Sequence, residues 1–277
     1  MTHVMDSFGV GRRGAGREET RSANRRWWDD EAVPYYAEHG DFLGDSDLVW
    51  GPEGLTESEL RLLEPLAGRD VLEIGAGAAQ GGRYVQGQGA RVVATDLSAG
   101  MLRQAALIDR DASRPVPLAQ CDAMALPFAD ASFDVVFTAY GAVPFVADSA
   151  AVMSQAARVL RPGGRLVFST THPIRWAFPD VPGVAGLVAD RPYFDRTPYV
   201  EQDDTGRATY VEHHRTLGDR VREIAAAGLV LVDLVEPEWP ARNTAEWGGW
   251  SPTRGRIIPG TAIFVAQKQP SRAGADL

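Results

Sequence analysis

Two glycines and one aspartate have the types and the spacing that binding of a nucleoside requires. Gly75 and Gly77 follow a short apolar segment that ends at Ile74, and Asp96 comes 21 residues after Gly75. Glycines let the backbone turn tightly against a ligand, and a helix that follows such a turn offers unpaired N–H groups. An acidic residue about 20 positions after the turn is typical of ribose binding in such folds. Together these features predict a nucleoside-binding site.

Two further residues could move a proton or contact the reacting atoms. His172 follows a predicted strand at 165–170, and Tyr140 follows another at 133–138. Imidazole titrates near neutrality, so His172 is the first candidate for a general base that deprotonates a phenol or hydroxyl. The alternative is a turn histidine bonded to the backbone. Tyr140 is predicted to line the cofactor or acceptor site, or else to be a core aromatic residue.

Aromatic residues in two long irregular segments, 172–215 and 237–260, predict an acceptor pocket with apolar walls. The residues assigned to that pocket are Trp176, Tyr199, His214 and Trp247. His213 and His214 are adjacent, so on a strand only one of them can face the pocket. The same residues could instead mediate self-association through a hairpin.

Strand-like and helix-like patterns alternate from residue 70 onward, which predicts an α/β fold with a doubly wound sheet. Short apolar runs predict strands at 71–74, 91–95, 133–138, 165–170, 229–235 and 261–267, and a hairpin at 199–202 and 208–212. Apolar faces and capping residues predict helices at 57–66, 98–108, 148–160 and 217–227. Runs that are apolar on both faces suit parallel strands covered by helices.

The predicted organisation has four parts. Residues 1–24 are rich in Gly and Arg and are interpreted as a disordered tail. Residues 25–69 form an N-terminal helical cap, whose dense aromatic residues must cover something. Residues 70–268 form the ligand-binding domain, with 172–215 inserted as a lid, and 269–277 form a flexible tail.

Composition excludes several classes of protein and partner. The 277 residues carry a net charge of −9, which argues against a nucleic-acid partner. The one cysteine, Cys121, excludes a multi-cysteine zinc site, and no metal is expected. No apolar run is long enough to span a membrane and no signal segment is present, so we expect a cytoplasmic protein that does not contact membranes. The expected partner is a small-molecule substrate, and the expected state is a monomer or homodimer.

The stretch from Asp70 to Thr171 resembles the class I S-adenosylmethionine (SAM)-dependent methyltransferases. Four motifs in order carry the resemblance: Glu73-x-Gly75-x-Gly77, Asp96-Leu97-Ser98 followed by Met101, the segment 120–128 with Asp122 and Ala123, and the turn 158–164. Ala79 departs from the pattern, because many family members have a third glycine there.

The resemblance implies SAM as the cofactor and a Rossmann-like seven-stranded sheet in which 261–267 is the one antiparallel strand. It implies that Glu73 lies near the ammonium group, that Asp96 binds the ribose, and that Asp122 accepts from the exocyclic amine of adenine. The other cofactor-binding residues implied are Gly75, Gly77, Leu97, Met101, Ala123 and Tyr140. Trp28 and Tyr36 of the N-terminal segment could close over the ligand, and the alternative is ordinary packing of an N-terminal helix on the sheet.

The activity implied is methyl transfer to a small, apolar or aromatic acceptor, and two alternatives stay open. One is an NAD(P)-binding Rossmann oxidoreductase; Glu73 argues against it, because a pyrophosphate there would meet a like charge. The other is a protein of the same fold that binds SAM without methylating, either as a regulator or as the catalyst of another reaction.

Overall fold

The structure, a computed structural model, describes residues 9–111 and 115–270. Its helices are α1 (Arg17–Leu43), α2 (Glu57–Leu60), α3 (Gln80–Gly87), α4 (Ala99–Ile108), α5 (Ser149–Val159), α6 (Leu217–Ala226) and α7 (Pro252–Gly255). Its strands are β1 (Val10–Arg12), β2 (Asp70–Ile74), β3 (Arg91–Asp96), β4 (Leu118–Gln120), β5 (Phe133–Ala139), β6 (Leu160–Thr171), β7 (Tyr199–Gln202), β8 (Ala208–Glu212), β9 (Leu229–Val235) and β10 (Thr261–Lys268).

Within the described residues, seven strands form one sheet in the order β4-β3-β2-β5-β6-β10-β9. The neighbouring strands β4, β3, β2, β5 and β6 pair in parallel. Strand β10 runs antiparallel to both β6 and β9. This confirms the predicted α/β class, the Rossmann-like sheet and its one antiparallel strand. The chain order reverses between β2 and β5, and ligands of open α/β sheets bind in the crevice that such a reversal leaves at the carboxyl ends of the strands.

Successive side chains of a strand point to opposite faces of the sheet, and both faces are buried here. On one face, Leu72, Phe168 and Phe264 belong to one apolar cluster, in which the two phenyl rings stack 4.7 Å apart. On the other face, Val71 and Phe137 pack in a second cluster. The predicted central strands are therefore covered on both sides by helices and loops.

Capping side chains begin α4 and α5 where the sequence predicts. Ser98 Oγ accepts from Met101 N at 3.0 Å, and Asp148 Oδ1 accepts from Ala151 N at 3.1 Å. A side-chain acceptor at this position satisfies one of the N–H groups that a helix start leaves unpaired.

The helix predicted over 57–66 is wrong beyond Leu60. The chain turns at Arg61, whose φ is 54°, and the Glu57 carboxylate accepts from Leu63 N at 2.6 Å. The leucine pattern reflects packing on the sheet, since Leu63 and Leu66 are buried without a helix to carry them.

The prediction of a disordered tail over 1–24 is wrong for the part that the structure describes. Strand β1 pairs with β7, and α1 begins at Arg17, well before the expected boundary at 25. Asn24 is buried and bridges two segments: its Nδ2 donates to Phe145 O at 2.8 Å, and its Oδ1 accepts from Val211 N at 2.8 Å. Tertiary contacts therefore order this polar segment. Residues 1–8 and 271–277, which carry the rest of the two tail predictions, lie outside the described residues.

The insertion between β6 and α6 carries the predicted hairpin, with strands at 199–202 and 208–212 as expected. The hairpin and β1 form a small antiparallel sheet in the order β1-β7-β8. This sheet and α1 cover the carboxyl ends of the central strands, where the predicted nucleoside site lies.

Candidate active site

The glycine turn after β2 lies against the segment after β5, at the point where the strand order reverses. Gly75 has a φ of 66°, and a Cβ there would lie 2.6 Å from Ala142 N. Only glycine fits both this backbone conformation and this approach. Gly75 and Gly77 line the crevice, so a ligand there can approach their backbone closely.

Asp96 is the last residue of β3, and its carboxylate accepts hydrogen bonds from the glycine turn and from the start of α4. Its Oδ2 accepts from Gly77 N at 2.8 Å, and its Oδ1 accepts from Ser98 N at 2.8 Å. Burial raises the pKa of Asp96, and these backbone N–H groups oppose that rise. Each carboxylate oxygen keeps a second lone pair, so the group can still accept from a vicinal diol.

Glu73 lies in the cavity wall beneath the start of α3. A Cβ on Gly81 or Gly82 would lie 2.5 or 2.9 Å from its carboxyl oxygens, so these glycines make the space that it fills. Glu73 is 4% exposed, and its Oε2 has no hydrogen-bond partner among the described residues. Burial raises the pKa of Glu73 to about 8. A buried acceptor without a partner fits a cationic group, such as the ammonium of SAM.

The side of the crevice next to β3 and β4 carries the residues expected around an adenine ring. Asp122 Oδ1 accepts from Met124 N at 2.8 Å, which shapes a turn. Leu97, Met101 and Ala123 line the same cavity. An apolar slot beside one carboxylate suits a flat base with an exocyclic amine, so these residues also fit SAM.

One cavity of about 400 Å³ joins this nucleoside half to a second, more aromatic half. Trp28 and Tyr36 of α1 line it. The Tyr36 hydroxyl donates to Asp45. Trp28 packs edge-on against Tyr35 with ring centroids 5.3 Å apart.

The second half of the cavity contains polar residues that the sequence did not point out. Its lining includes Arg175 and Asp180 of the lid and Tyr210 and Glu212 of β8. Arg175 Nη2 lies 2.6 Å from Asp180 Oδ2, and its Nη1 lies 3.6 Å from Glu212 Oε2. The Tyr-x-Glu spacing on a predicted strand was the available signal, since residues two apart share a face.

Tyr140 lines the cavity with its ring, but its hydroxyl is engaged elsewhere. The hydroxyl donates to Gly260 O at 3.0 Å and lies 3.0 Å from Thr261 Oγ1. Its φ of 51° is unusual for a residue with a side chain, and burial raises its pKa. Tyr140 therefore holds the cavity wall to the start of β10 and does not present a proton-accepting group to the cavity.

His172 does not line the cavity, which removes the geometric basis for its prediction as the base. Its Nε2 lies 2.7 Å from Glu236 Oε1, and its Nδ1 accepts from Ile174 N at 3.1 Å. Burial lowers the pKa of His172, and the Glu236 carboxylate opposes this. The alternative interpretation, a turn histidine bonded to the backbone, describes what is observed.

Of the four residues assigned to the acceptor pocket, only Trp247 lines the cavity. Trp176 packs under the Arg175 guanidinium, 5.1 Å from its ring centroid. The Tyr199 hydroxyl donates to Glu201 at 2.9 Å, and His214 Nε2 lies 2.7 Å from Tyr193 O. These three side chains lie in the lid behind the cavity wall. Their prediction as acceptor-pocket residues is therefore corrected to a structural role.

Two further findings hold for residues 9–111 and 115–270. In these ranges no helix is both long and apolar enough to cross a membrane. The same residues contain no group of three or more His, Cys, Asp or Glu side chains that could hold a metal ion.

Comparison with known proteins gives the same class as the geometry. A methyltransferase-domain family model matches residues 72–168. A demethylmenaquinone methyltransferase of Mycobacterium sp. (strain JLS) is 34% identical over 186 residues, which cover 61% of this chain and 77% of that protein. The crystal structure of an S-adenosylmethionine-dependent methyltransferase from Mesorhizobium loti has a TM-score of 0.62 and 26% sequence identity, and the match covers 79% of this chain and 100% of that chain.

A class of nucleoside-binding α/β enzymes is defined by three features: the central sheet, the glycine turn, and the carboxylates Asp96 and Glu73 at the crevice. The chain belongs to the methyltransferase-domain family of class I SAM-dependent methyltransferases, and SAM is its cofactor. A demethylmenaquinone methyltransferase of Corynebacterium kroppenstedtii is 32% identical over 160 residues. The match covers 54% of this chain and 64% of that protein, so this chain spans less than two thirds of that relative's length.

Proposed function

We propose that the chain transfers the methyl group of SAM to a small acceptor with an aromatic or otherwise apolar body. The observation that carries this proposal is the single cavity in which Asp96 and Glu73 share a space with Trp27, Trp247 and Trp250. A donor held by the acids at one end would face an acceptor held by the aromatic residues at the other. Two relatives named demethylmenaquinone methyltransferase support a small-molecule acceptor.

SAM supplies an electrophilic methyl group on a positively charged sulfur, so the chain's own task is mainly binding and orientation. Asp96 would hold the ribose diol, Asp122 the adenine amine and Glu73 the ammonium group. Helix α1 and β8 would exclude water and place the acceptor opposite the methyl group. Fixing two reactants in line can lower a barrier by about 7–11 kcal/mol.

The proposal includes a cytoplasmic location, a diffusible small-molecule partner and a monomeric or homodimeric state. The aromatic half of the cavity supports the small-molecule partner, because rings and apolar walls with a few polar groups are typical of such sites. The net charge of −9 agrees with a partner other than a nucleic acid.

A direct test is incubation of the protein with methyl-labelled SAM and 1,4-dihydroxynaphthalene, 2-naphthol, catechol or 1-naphthylamine. We expect S-adenosylhomocysteine and a labelled product in equal amounts, measured by mass spectrometry. Binding of SAM in calorimetry without either product would favour the alternative of a SAM-binding protein that does not methylate.

A further inference from the structure

The acceptor half of the cavity holds one guanidinium between two carboxylates. Asp180 and Glu212 lie 2.6 and 3.6 Å from the Arg175 side chain, and all three line the cavity. Arg254 Nη1 lies 3.5 Å from Asp180, so Asp180 has two cationic partners whereas Glu212 has one. A carboxylate beside aromatic walls needs donors to accept from, and a bound acceptor can supply one to Glu212.

The two carboxylates differ in their exposure and in their partners. The Asp180 side chain is 49% exposed, and it pairs with Arg175 and with Arg254 at 3.5 Å. The Glu212 side chain is 18% exposed, and its Oε1 accepts from the Tyr210 hydroxyl at 2.5 Å. Glu212 is thus the more enclosed acid and has fewer cationic partners.

The backbone of β8 aims Glu212 at the cavity. Tyr210 and Glu212 are two residues apart, so their side chains share a face, whereas Val211 points the other way. Val211 is buried in a small apolar cluster with Ala23 of α1. Packing on that side holds the strand, and this fixes the direction of the glutamate.

The two candidate bases predicted from the sequence, Tyr140 and His172, do not present a proton acceptor to this half of the cavity. The Tyr140 hydroxyl donates to Gly260 O, and His172 lies outside the cavity wall. Asp96 and Glu73 belong to the nucleoside half. Glu212 is the enclosed carboxylate that remains for the acceptor.

We propose that Glu212 is the general base for methyl transfer, and that the acceptor carries an acidic O–H or N–H on its nucleophilic atom. This inference rests on the proposed function. As the acceptor oxygen or nitrogen forms its bond to the methyl carbon, the carbon–sulfur bond breaks and its electron pair stays on sulfur. The acceptor proton moves to the Glu212 carboxylate. Arg175, 3.6 Å from Glu212, is placed to stabilise the anionic character that develops on the acceptor.

The chain offers a matched control for Glu212. Glu201 on β7 accepts from the Tyr199 hydroxyl at 2.9 Å, so both strands carry a Tyr-x-Glu pair. The register places Glu201 opposite Tyr210 and Glu212 opposite Tyr199, but Glu201 does not line the cavity. Glu201→Gln therefore removes a similar charge and keeps a similar hydrogen bond without changing the cavity wall.

The test compares Glu212→Gln with Glu201→Gln in the full chain. SAM affinity is measured by calorimetry, and turnover is measured with 2-naphthol and 4-nitrophenol across pH. We expect Glu212→Gln to keep SAM affinity and to lower kcat with 2-naphthol by about 10²–10⁴-fold, the usual contribution of a base. The loss should shrink to about 10-fold or less with 4-nitrophenol, because that acceptor ionises without help near neutral pH.

A second variant of Glu212 and a third acceptor make the outcomes distinct. Glu212→Asp keeps a carboxylate and should retain the wild-type pH profile at a reduced rate. If Glu212→Gln behaves like Glu201→Gln on both phenols, Glu212 is not the base although the chain is a methyltransferase. Transfer to quinoline, which has no proton to lose, but to neither phenol would reject the acceptor class and leave the proposed function standing. SAM binding without S-adenosylhomocysteine from any acceptor would reject both.

Discussion

Replacing Asp96 with alanine tests the carboxylate on which donor binding depends. In the free protein each oxygen of Asp96 accepts one backbone N–H, from Gly77 and from Ser98, both at 2.8 Å. The remaining lone pairs would accept from the two ribose hydroxyls of SAM. Asp96→Ala removes both of these acceptors without adding bulk to the crevice.

The expected loss of affinity follows from those two hydrogen bonds. A hydrogen bond to a charged group contributes about 1.5–3 kcal/mol, so losing two costs about 3–6 kcal/mol. Since about 1.4 kcal/mol is a tenfold change, the Kd for SAM should rise about 10²–10⁴-fold. The free energy of unfolding should fall much less, because the cavity lets water reach the amides of Gly77 and Ser98.

Calorimetric titration with SAM gives the affinity, and urea denaturation gives the free energy of unfolding. Asp233→Ala is a suitable control, because Asp233 is an exposed aspartate on the edge strand β9 and away from the cavity. We expect that control to bind SAM like the wild type. A rise in Kd below about tenfold for Asp96→Ala, with the protein still folded, would refute the assignment of Asp96 to the ribose.

Three further predictions concern other groups. Burial raises the pKa of Glu73 to about 8, so SAM binding at pH 7 should release about one proton as the ammonium ionises the carboxyl; calorimetry in buffers of different ionisation enthalpy should show this release, and Glu73→Gln should abolish it. Asn24→Ala leaves the buried N–H of Val211 unpaired and should cost about 1–3 kcal/mol in urea denaturation, whereas an unchanged midpoint would contradict the N-terminal packing. Burial lowers the pKa of His213 and His214 to about 4, while the unfolded chain takes up these protons near pH 6.5. The free energy of unfolding should therefore fall as pH drops from about 6.5 to 4, and His213→Gln should flatten that slope.

The central sheet and the nucleoside half of the cavity were predictable because the sequence patterns that indicate them are local. Apolar runs on both faces mark buried parallel strands, and the turn at Gly75 needs a residue without a side chain. Asp96 lies at a fixed distance along the chain from that turn, because one helix and one strand separate them. Short-range rules of this kind also placed the caps Ser98 and Asp148.

Local signals failed where long-range contacts decide the structure. The segment around Asn24 reads as polar and unstructured, yet its side chain bonds to Phe145 and Val211, more than 100 residues away. The helix predicted over 57–66 ends early because the Glu57 carboxylate takes the N–H of Leu63. Strand β4 has only three residues and no apolar run, so no periodic pattern in the sequence predicts it.

The acceptor half shows most clearly what the sequence alone determined and what only the tertiary structure decided. The chain by itself determined that aromatic residues gather in the lid and that His172 follows a strand. Only the folded protein shows that His172 is bonded to Glu236 outside the cavity, while Arg175 and Glu212 meet inside it. Residues 175 and 212 come together because the hairpin folds back onto the segment after β6, and no rule of spacing along the chain encodes that approach.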